Sequence, residues 1–416
     1  MPCKGYPYAN SHNPRGNKHQ KQKFEMYLAY LTNKIYLPLQ ARSERPARQS
    51  MTHHISVSEL MNLQHRIPLV DVRTPAEFIQ GHIPGAFNLP LFSNEERVQV
   101  GTTYKQVGRQ AAILLGFDLT GAKWAGFIRQ ALQISPQQKV AVHCWRGGMR
   151  SGAMAWALSL YGFEVWLIDG GYKSYRRWVL QQFEVPYQLR VIGGMTGSGK
   201  TRILHQLRSL GEQVIDLEDL AQHQGSSYGT LNKLVQPSQE QFENDLAGQL
   251  HRVDSHRHTW VEDESKSIGK RLIPGPFWQQ MQHACLIDLQ VPVEQRIQSL
   301  VQEYGCLDKA FLVECTDRIR KRLGPESTKY AIAAIQEGRM DEFIRRVLVY
   351  YDKAYRLGLT GRMASSIFTI KMESTEALLN AGQIVDYIQS TPSAVNTTNN
   401  NSAAGNNAAD ATNDIR

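Results

Sequence analysis

Long apolar runs are missing from this 416-residue chain: none reaches the 18 or so consecutive apolar residues that a membrane span requires, and the opening Met-Pro-Cys-Lys-Gly lacks the apolar core of a secretory signal. No membrane partner is expected, and the reading is of a cytoplasmic protein. Cysteine is scarce too. The five present (Cys3, Cys144, Cys285, Cys306, Cys315) form no CxxC or HxxxH spacing, so neither a zinc knuckle nor a disulfide framework is supported and no metal is firmly assigned. Charge of one sign is less abundant than the net +9 suggests. Residues 1–50 hold nine Lys/Arg against two Glu, which leaves only +2 for the other 366 residues, so bulk charge gives no reason to expect nucleic-acid binding by the folded body. With 42% hydrophobic and 20% charged residues, wholesale disorder and collagen-like repetition are excluded, and the length exceeds what one domain of about 150 residues needs.

The chain divides by pattern. Residues 1–52 read as a disordered basic extension, either a basic arm or an artefact of the start site upstream of Met51; residues 391–416, with seven Asn, read as a disordered Asn-rich tail. Between them lie two α/β patterns. The first, residues 53–180, has short buried strands at 68–72, 140–143 and 164–168 with helical stretches between, which predicts a parallel sheet. The second, residues 187–390, starts with a strand at 189–192. Further strands are expected at 213–215, 259–261 and 285–289, and the chain becomes helical and basic from 316 to 355.

Two loops carry chemistry. Cys144 ends a buried strand and is followed by Trp145-Arg146-Gly147-Gly148-Met149-Arg150-Ser151 and a helix. Successive amides and a helix N-terminus favour a thiolate or a bound anion, and Arg146 and Arg150 add positive charge, so these three are the catalytic candidates. The His143-Cys144-x5-Arg150-Ser151 spacing fits a cysteine phosphatase as literally as it fits a sulfur- or selenium-carrying transferase. In the second loop, Gly194-Met195-Thr196-Gly197-Ser198-Gly199-Lys200-Thr201 satisfies GxxxxGK[ST] after a strand. Gly194, Gly197, Ser198 and Gly199 would offer amides to a diphosphate, Lys200 a charge, and Thr201 a hydroxyl to Mg²⁺. Glu262 and Asp263, at the end of a later strand, are candidate acids on the metal side. Lys173, Arg176 and Arg177 close the first pattern, and Arg318, Arg320, Lys321 and Arg322 form a denser run. Each reads either as a solvated helix face or as a patch suited to a folded RNA partner.

Asp71-Val72-Arg73-Thr74-Pro75-Ala76-Glu77-Phe78 and Gly81-His82-Ile83-Pro84-Gly85-Ala86-Phe87-Asn88, upstream of Cys144, resemble the signatures of a rhodanese domain. That domain followed by a P-loop, together with Gly101-Thr102-Thr103-Tyr104-Lys105-Gln106 and Asp169-Gly170-Gly171-Tyr172-Lys173-Ser174-Tyr175-Arg176-Arg177, resembles the tRNA 2-selenouridine synthase family over residues 53–390. The resemblance implies a rhodanese-like parallel-sheet domain and a P-loop NTPase-like α/β domain with a helical, tRNA-binding C-terminal part. It implies a transferase that converts wobble 5-methylaminomethyl-2-thiouridine of tRNA to 2-selenouridine through an S-geranyl intermediate. Geranyl diphosphate and selenophosphate would be its co-substrates, Mg²⁺ a further candidate, and a selenophosphate-making enzyme a candidate partner. Cys144, at the position of the family's loop cysteine, would serve the selenium step. Geranyl diphosphate suits the P-loop and selenophosphate the Cys144 loop, with ATP a rival at the P-loop. A rhodanese-fold phosphatase and a nucleotide-dependent kinase or regulatory protein are the alternatives.

Overall fold

Two five-stranded, wholly parallel sheets organise the chain. The structure, a computed structural model, describes residues 52–63, 66–223, 228, 235–374 and 376–391. Apart from Thr52 and Thr391, the expected extension and tail lie outside the described residues.

The first sheet takes β1 (Thr52–Ile55), β2 (Leu69–Asp71), β3 (Phe87–Asn88), β4 (Lys139–His143) and β5 (Glu164–Ile168) in the order β1-β5-β4-β2-β3. β2 and β4 are short Val- and Ala-rich runs buried on both faces, as central strands of a parallel sheet must be. Local chemistry sets the helices around them. Thr74 and Glu77 form a capping box with Pro75 at the first turn of the helix Pro75–Gln80, and Ser93 and Glu96 form another at Asn94–Gln106. The helices Arg109–Thr120 and Trp124–Ile134 run nearly end to end, and together they are long and apolar enough to cross a membrane by length and composition. That stretch was not foreseen as a run because polar residues interrupt it; Phe127 and Ala131 pack into the core.

The second sheet takes β6 (Leu189–Gly194), β7 (Gln213–Ile215), β8 (Thr259–Glu262), β11 (Cys285–Gln290) and β12 (Ile367–Lys371), ordered β12-β11-β6-β8-β7; β9 (Ser267–Ile268) and β10 (Arg271–Leu272) form a separate antiparallel pair. β6 is central, so the loop that follows it opens at the C-terminal edge of the sheet, where α/β folds bind ligands. The expected helical stretch resolves into Lys309–Arg318, Arg320–Leu323, Pro325–Glu337 and Met340–Leu359. They pack with the helix Val293–Tyr304 around Phe343, Ile335 and Leu312.

The two α/β patterns pack into one compact unit among the described residues, because one apolar core runs from Leu60, Tyr172, Tyr175 and Phe183 into Val191, Phe242, Phe277 and Leu286. The helices Gly171–Gln182 and Gln239–Leu250 form the seam. Burying each aromatic side chain of this core contributes about 1.5–3 kcal/mol.

Candidate active site

At the end of β4 the chain turns sharply, and Cys144 sits 4% exposed at the bottom of the turn. The Gly148 amide donates to its Sγ at 3.3 Å, and the Ser151 hydroxyl lies 3.2 Å from the sulfur. Burial is the largest single influence on the thiol and pushes its pKa up. The Ser151 hydroxyl, the Ser151 and Arg146 amides and the Arg150 charge together outweigh it, leaving the pKa below the ordinary thiol value. Trp145, Arg146, Gly147, Gly148 and Met149 are exposed, so an anion has access to the loop's rim. Arg150 is held in place by Glu77, whose oxygens accept at 2.7 and 3.2 Å. Glu77 was not foreseen as part of the site; its capping-box position was the available signal.

Behind the loop the support is rigid. Tyr172 and Lys173 amides donate to the Cys144 and Trp145 carbonyls, both at 2.9 Å. Gly171, at φ +57°, lies so close that an added Cβ would meet the Cys144 carbonyl oxygen at 2.4 Å, which only glycine avoids. Buried Asp71 and Arg73 pair through two oxygens, and the Arg73 guanidinium stacks 3.6 Å from the centre of the Tyr172 ring. The Tyr172 hydroxyl then crosses the seam, donating to Glu240 at 2.7 Å and accepting from Asn244 at 2.8 Å.

The second loop opens into a cleft of about 1020 Å³, lined at one end by Gly194, Gly197, Gly199, Lys200 and Thr201. Gly194, Gly197 and Gly199 all have positive φ, which curls the backbone into a cradle. Lys200 Nζ donates to the Gly194 carbonyl at 3.1 Å. Ser198 Oγ is buried without a hydrogen-bond partner. Arg296 ties the loop to the helical part, donating to the Thr196 carbonyl at 3.0 Å and pairing with Asp352 at 2.9 and 2.7 Å. Neither Arg296 nor Asp352 carries a local sequence signal, since they lie 56 residues apart.

The expected metal-side acids differ in setting: Glu262 is fully buried and accepts from the amides of Leu217 and Glu218, whereas Asp263 lines the cleft and is engaged by Arg362 at 2.8 Å. Glu218 and Glu264 also line the cleft: Thr201 donates to Glu218 at 2.9 Å, and both carboxyls feel the charge of Lys200. Burial raises both pKa values. Glu264 is pushed up to about 8, next by the neighbouring Glu218 charge, with Lys200 opposing. Spacing along the strand pointed to β8 itself, whereas the short helix Leu217–Ala221 after β7 brings Glu218 in from elsewhere.

A rhodanese-like domain model matches residues 56–177, and a tRNA 2-selenouridine synthase AAA domain model matches residues 187–384. The tRNA 2-selenouridine synthase of Shewanella frigidimarina is 35% identical over 341 residues, covering 72% of this chain and 91% of that protein. The one from Hydrogenovibrio crunogenus is 34% identical over 354 residues, covering 76% of this chain and 95% of that protein. The chain belongs to the tRNA 2-selenouridine synthase family. With the family member of Shewanella denitrificans it shares 42% identity over 250 residues, a stretch that spans 57% of this chain and 65% of that relative's length.

For a member of this synthase family the basic candidates fall into three settings. Lys173 and Arg177 are exposed on the helix that buttresses the Cys144 loop. Arg176 is corrected: its guanidinium is committed to Glu243, Asn244 and the Glu240 carbonyl in the seam, so it packs the fold instead of facing a partner. Arg318, Arg320, Lys321 and Arg322 are exposed, and Arg318 acts electrostatically on His223, a lining residue of the P-loop cleft. Arg318 donates to Cys315 Sγ at 2.9 Å and pairs with Glu314 at 3.9 Å, and Arg320 pairs with Asp317 at 3.6 Å; exposed ion pairs of this kind hold a guanidinium weakly.

Proposed function

We propose that this protein replaces the sulfur of a wobble 2-thiouridine in tRNA with selenium in two steps. In the first, the thiocarbonyl sulfur bonds to C1 of geranyl diphosphate as the C–O bond breaks and diphosphate leaves. In the second, the selenium of selenophosphate bonds to the ring carbon as the C–S bond breaks and geranylthiol leaves, and water then cleaves the Se–P bond to release phosphate. Membership of the synthase family supports the tRNA substrate and the selenouridine product. One observation carries the two-step form: a single folded unit holds two distinct anion cradles, one built around an activated thiol and the other a P-loop opening into a roomy cleft.

In this reading Cys144 serves the selenium step. Its pKa below the ordinary thiol value favours the thiolate, and the Gly148 amide with Arg150 and Arg146 receives the anionic donor. Gly194, Gly197, Ser198, Gly199 and Lys200 bind the diphosphate. The residues at the cleft fit a hard divalent cation, since Thr201 offers a hydroxyl and Glu218 and Glu264 bring carboxyl groups to the same cleft. Mg²⁺ held there would neutralise the leaving diphosphate. Lys173, Arg177 and the run from Arg318 to Arg322 would meet tRNA phosphates.

The test is mass spectrometry of nucleosides from thiolated tRNA incubated with each donor separately and together. Cys144→Ser should accumulate geranylated tRNA and make no selenouridine. Lys200→Ala should weaken its ligand by roughly 10- to 150-fold, the loss expected for one charge-assisted phosphate contact, while still selenating tRNA geranylated beforehand. A folded Cys144→Ser protein that loses both reactions, or a Lys200→Ala protein that geranylates normally, overturns the assignment of donors to loops.

A further inference from the structure

The phosphate loop lines only part of the P-loop cleft; elsewhere aromatic and small apolar residues line it beside polar ones such as Gln302, Glu303 and Arg362. Along the helix Met340–Leu359, Tyr351, Ala354, Tyr355 and Gly358 all line the cleft. Their spacing of three and four places them on one helix face, with Tyr351 and Tyr355 one turn apart and Ala354 and Gly358 one turn apart in the row beside them. Ala354 and Gly358 are exposed, and a Cβ added at Gly358 would meet nothing within 4 Å, so the surface beside the rings is an open trough. Tyr355 is fixed by donating to Asp288 at 2.6 Å, which holds its ring beside the loop.

The apolar wall begins at the phosphate loop itself. Leu300 stands against Gly197, where an added Cβ would meet Leu300 Cδ1 at 2.9 Å. Beyond Leu300, Tyr304 and Tyr351 lies a further small cavity of about 10 Å³, lined by Phe343, Ile344, Val347 and Leu348. The side chains on that side therefore offer aromatic faces and hydrocarbon. A nucleobase buried there would leave ring nitrogens and exocyclic groups poorly matched, at a cost of about 1–3 kcal/mol for each unsatisfied group. A hydrocarbon chain has no such groups.

We infer that the trough formed by Tyr351, Ala354, Tyr355 and Gly358, continued by Leu300 and Tyr304, binds the isoprenoid chain of an allylic diphosphate and sets its length. This rests on the proposed placement of geranyl diphosphate at the P-loop and adds the part of the site that recognises carbon. The diphosphate sits on Gly194–Thr201, the first isoprene unit passes Leu300, and the second lies across Ala354 and Gly358. Each buried methylene contributes roughly a fourfold gain in affinity, so a ten-carbon chain should bind far more tightly than a five-carbon one.

The experiment is calorimetric titration of the full chain, with Mg²⁺ at fixed concentration, by inorganic pyrophosphate, dimethylallyl, geranyl and farnesyl diphosphates and ATP. The wild-type protein should prefer geranyl over dimethylallyl diphosphate, and Lys200→Ala should weaken every diphosphate. Gly358→Leu adds bulk where a Cβ meets nothing within 4 Å and has better helix propensity than glycine, which favours retention of the fold. It should erase at least about tenfold of the geranyl preference, a few methylenes' worth, while pyrophosphate binds as before. Ala354→Met should act in the same direction. If geranyl diphosphate binds in a Lys200-dependent way and neither trough variant alters the chain-length preference, the trough is overturned and the P-loop assignment stands. If ATP binds and geranyl diphosphate does not, the donor assignment itself fails and the trough with it.

Discussion

Tyr172 joins the Cys144 loop to the helix Gln239–Leu250 across the seam, and removing its hydroxyl alone measures what that connection is worth. In Tyr172→Phe the ring still covers Arg73, whose guanidinium lies 3.6 Å from the ring centre, so the cation–π contact persists. Two hydrogen bonds are lost: the one to Glu240 at 2.7 Å is charge-assisted and contributes about 1.5–3 kcal/mol, and the one from Asn244 at 2.8 Å about 0.5–1.5 kcal/mol. Glu240 is only half-buried, so water can take the place of the hydroxyl there. Asn244 is fully buried, but its amide nitrogen also donates to the His82 carbonyl at 2.9 Å, so one N–H is left without a partner. The net loss should be about 2–3 kcal/mol. Urea unfolding followed by tryptophan fluorescence and by far-ultraviolet circular dichroism measures it. Because the core under Tyr172 is continuous between the sheets, both signals should move together to a lower midpoint in one transition. A loss under about 0.5 kcal/mol, or a first sheet that unfolds separately from the second in the wild-type protein, refutes the argument that the seam is part of one core.

Three further outcomes test the sites. Ser151→Ala removes the hydrogen bond that lowers the Cys144 pKa most, so the pH inflection for alkylation of that thiol should move up; an unmoved inflection removes Ser151 from the cradle. Glu264 holds a proton up to about pH 8, above its ordinary value of 4.5. The fold therefore favours the protonated form, and its contribution to stability falls as pH rises from about 4.5 to 8. Across the same upper limit pyrophosphate binding without Mg²⁺ should weaken and Mg²⁺-supported binding should strengthen, and Glu264→Gln should flatten both profiles. Reversing Arg320 and Arg322 to Glu should weaken tRNA binding and lower its salt slope by roughly 0.7–0.9 log units per lost phosphate contact, whereas an unchanged slope returns the run to a solvated face.

Local chemistry was legible wherever neighbours in the chain are neighbours in the site. Cys144 with its glycines and the GxxxxGK[ST] loop are contiguous, so residue type and spacing were enough to place both cradles at strand ends. The buried strands β2, β4, β5, β6, β8 and β11 were legible for the same reason, as each is a short apolar run. Strand β1 was not, because Thr-His-His-Ile on a sheet edge has too few apolar residues to stand out. Strand β12 was hidden by sitting far downstream, where only pairing with β11 makes it part of the sheet. Sequence also set the basic run from Arg318 to Arg322 apart, yet only packing showed that Arg176 had been drawn into the seam. The acids of the P-loop cleft, the Arg296–Asp352 clamp and the tyrosine trough join separate segments, with Thr201 and Glu218 17 residues apart and Arg296 and Asp352 56 apart. Which carboxyl reaches Thr201 depends on how the helix after β7 sits against the phosphate loop, and which helix face closes over that loop depends on how the helical part docks on the second sheet. That docking is decided by the fit of buried side chains across the whole unit, a property of the packed chain that no local stretch of sequence contains.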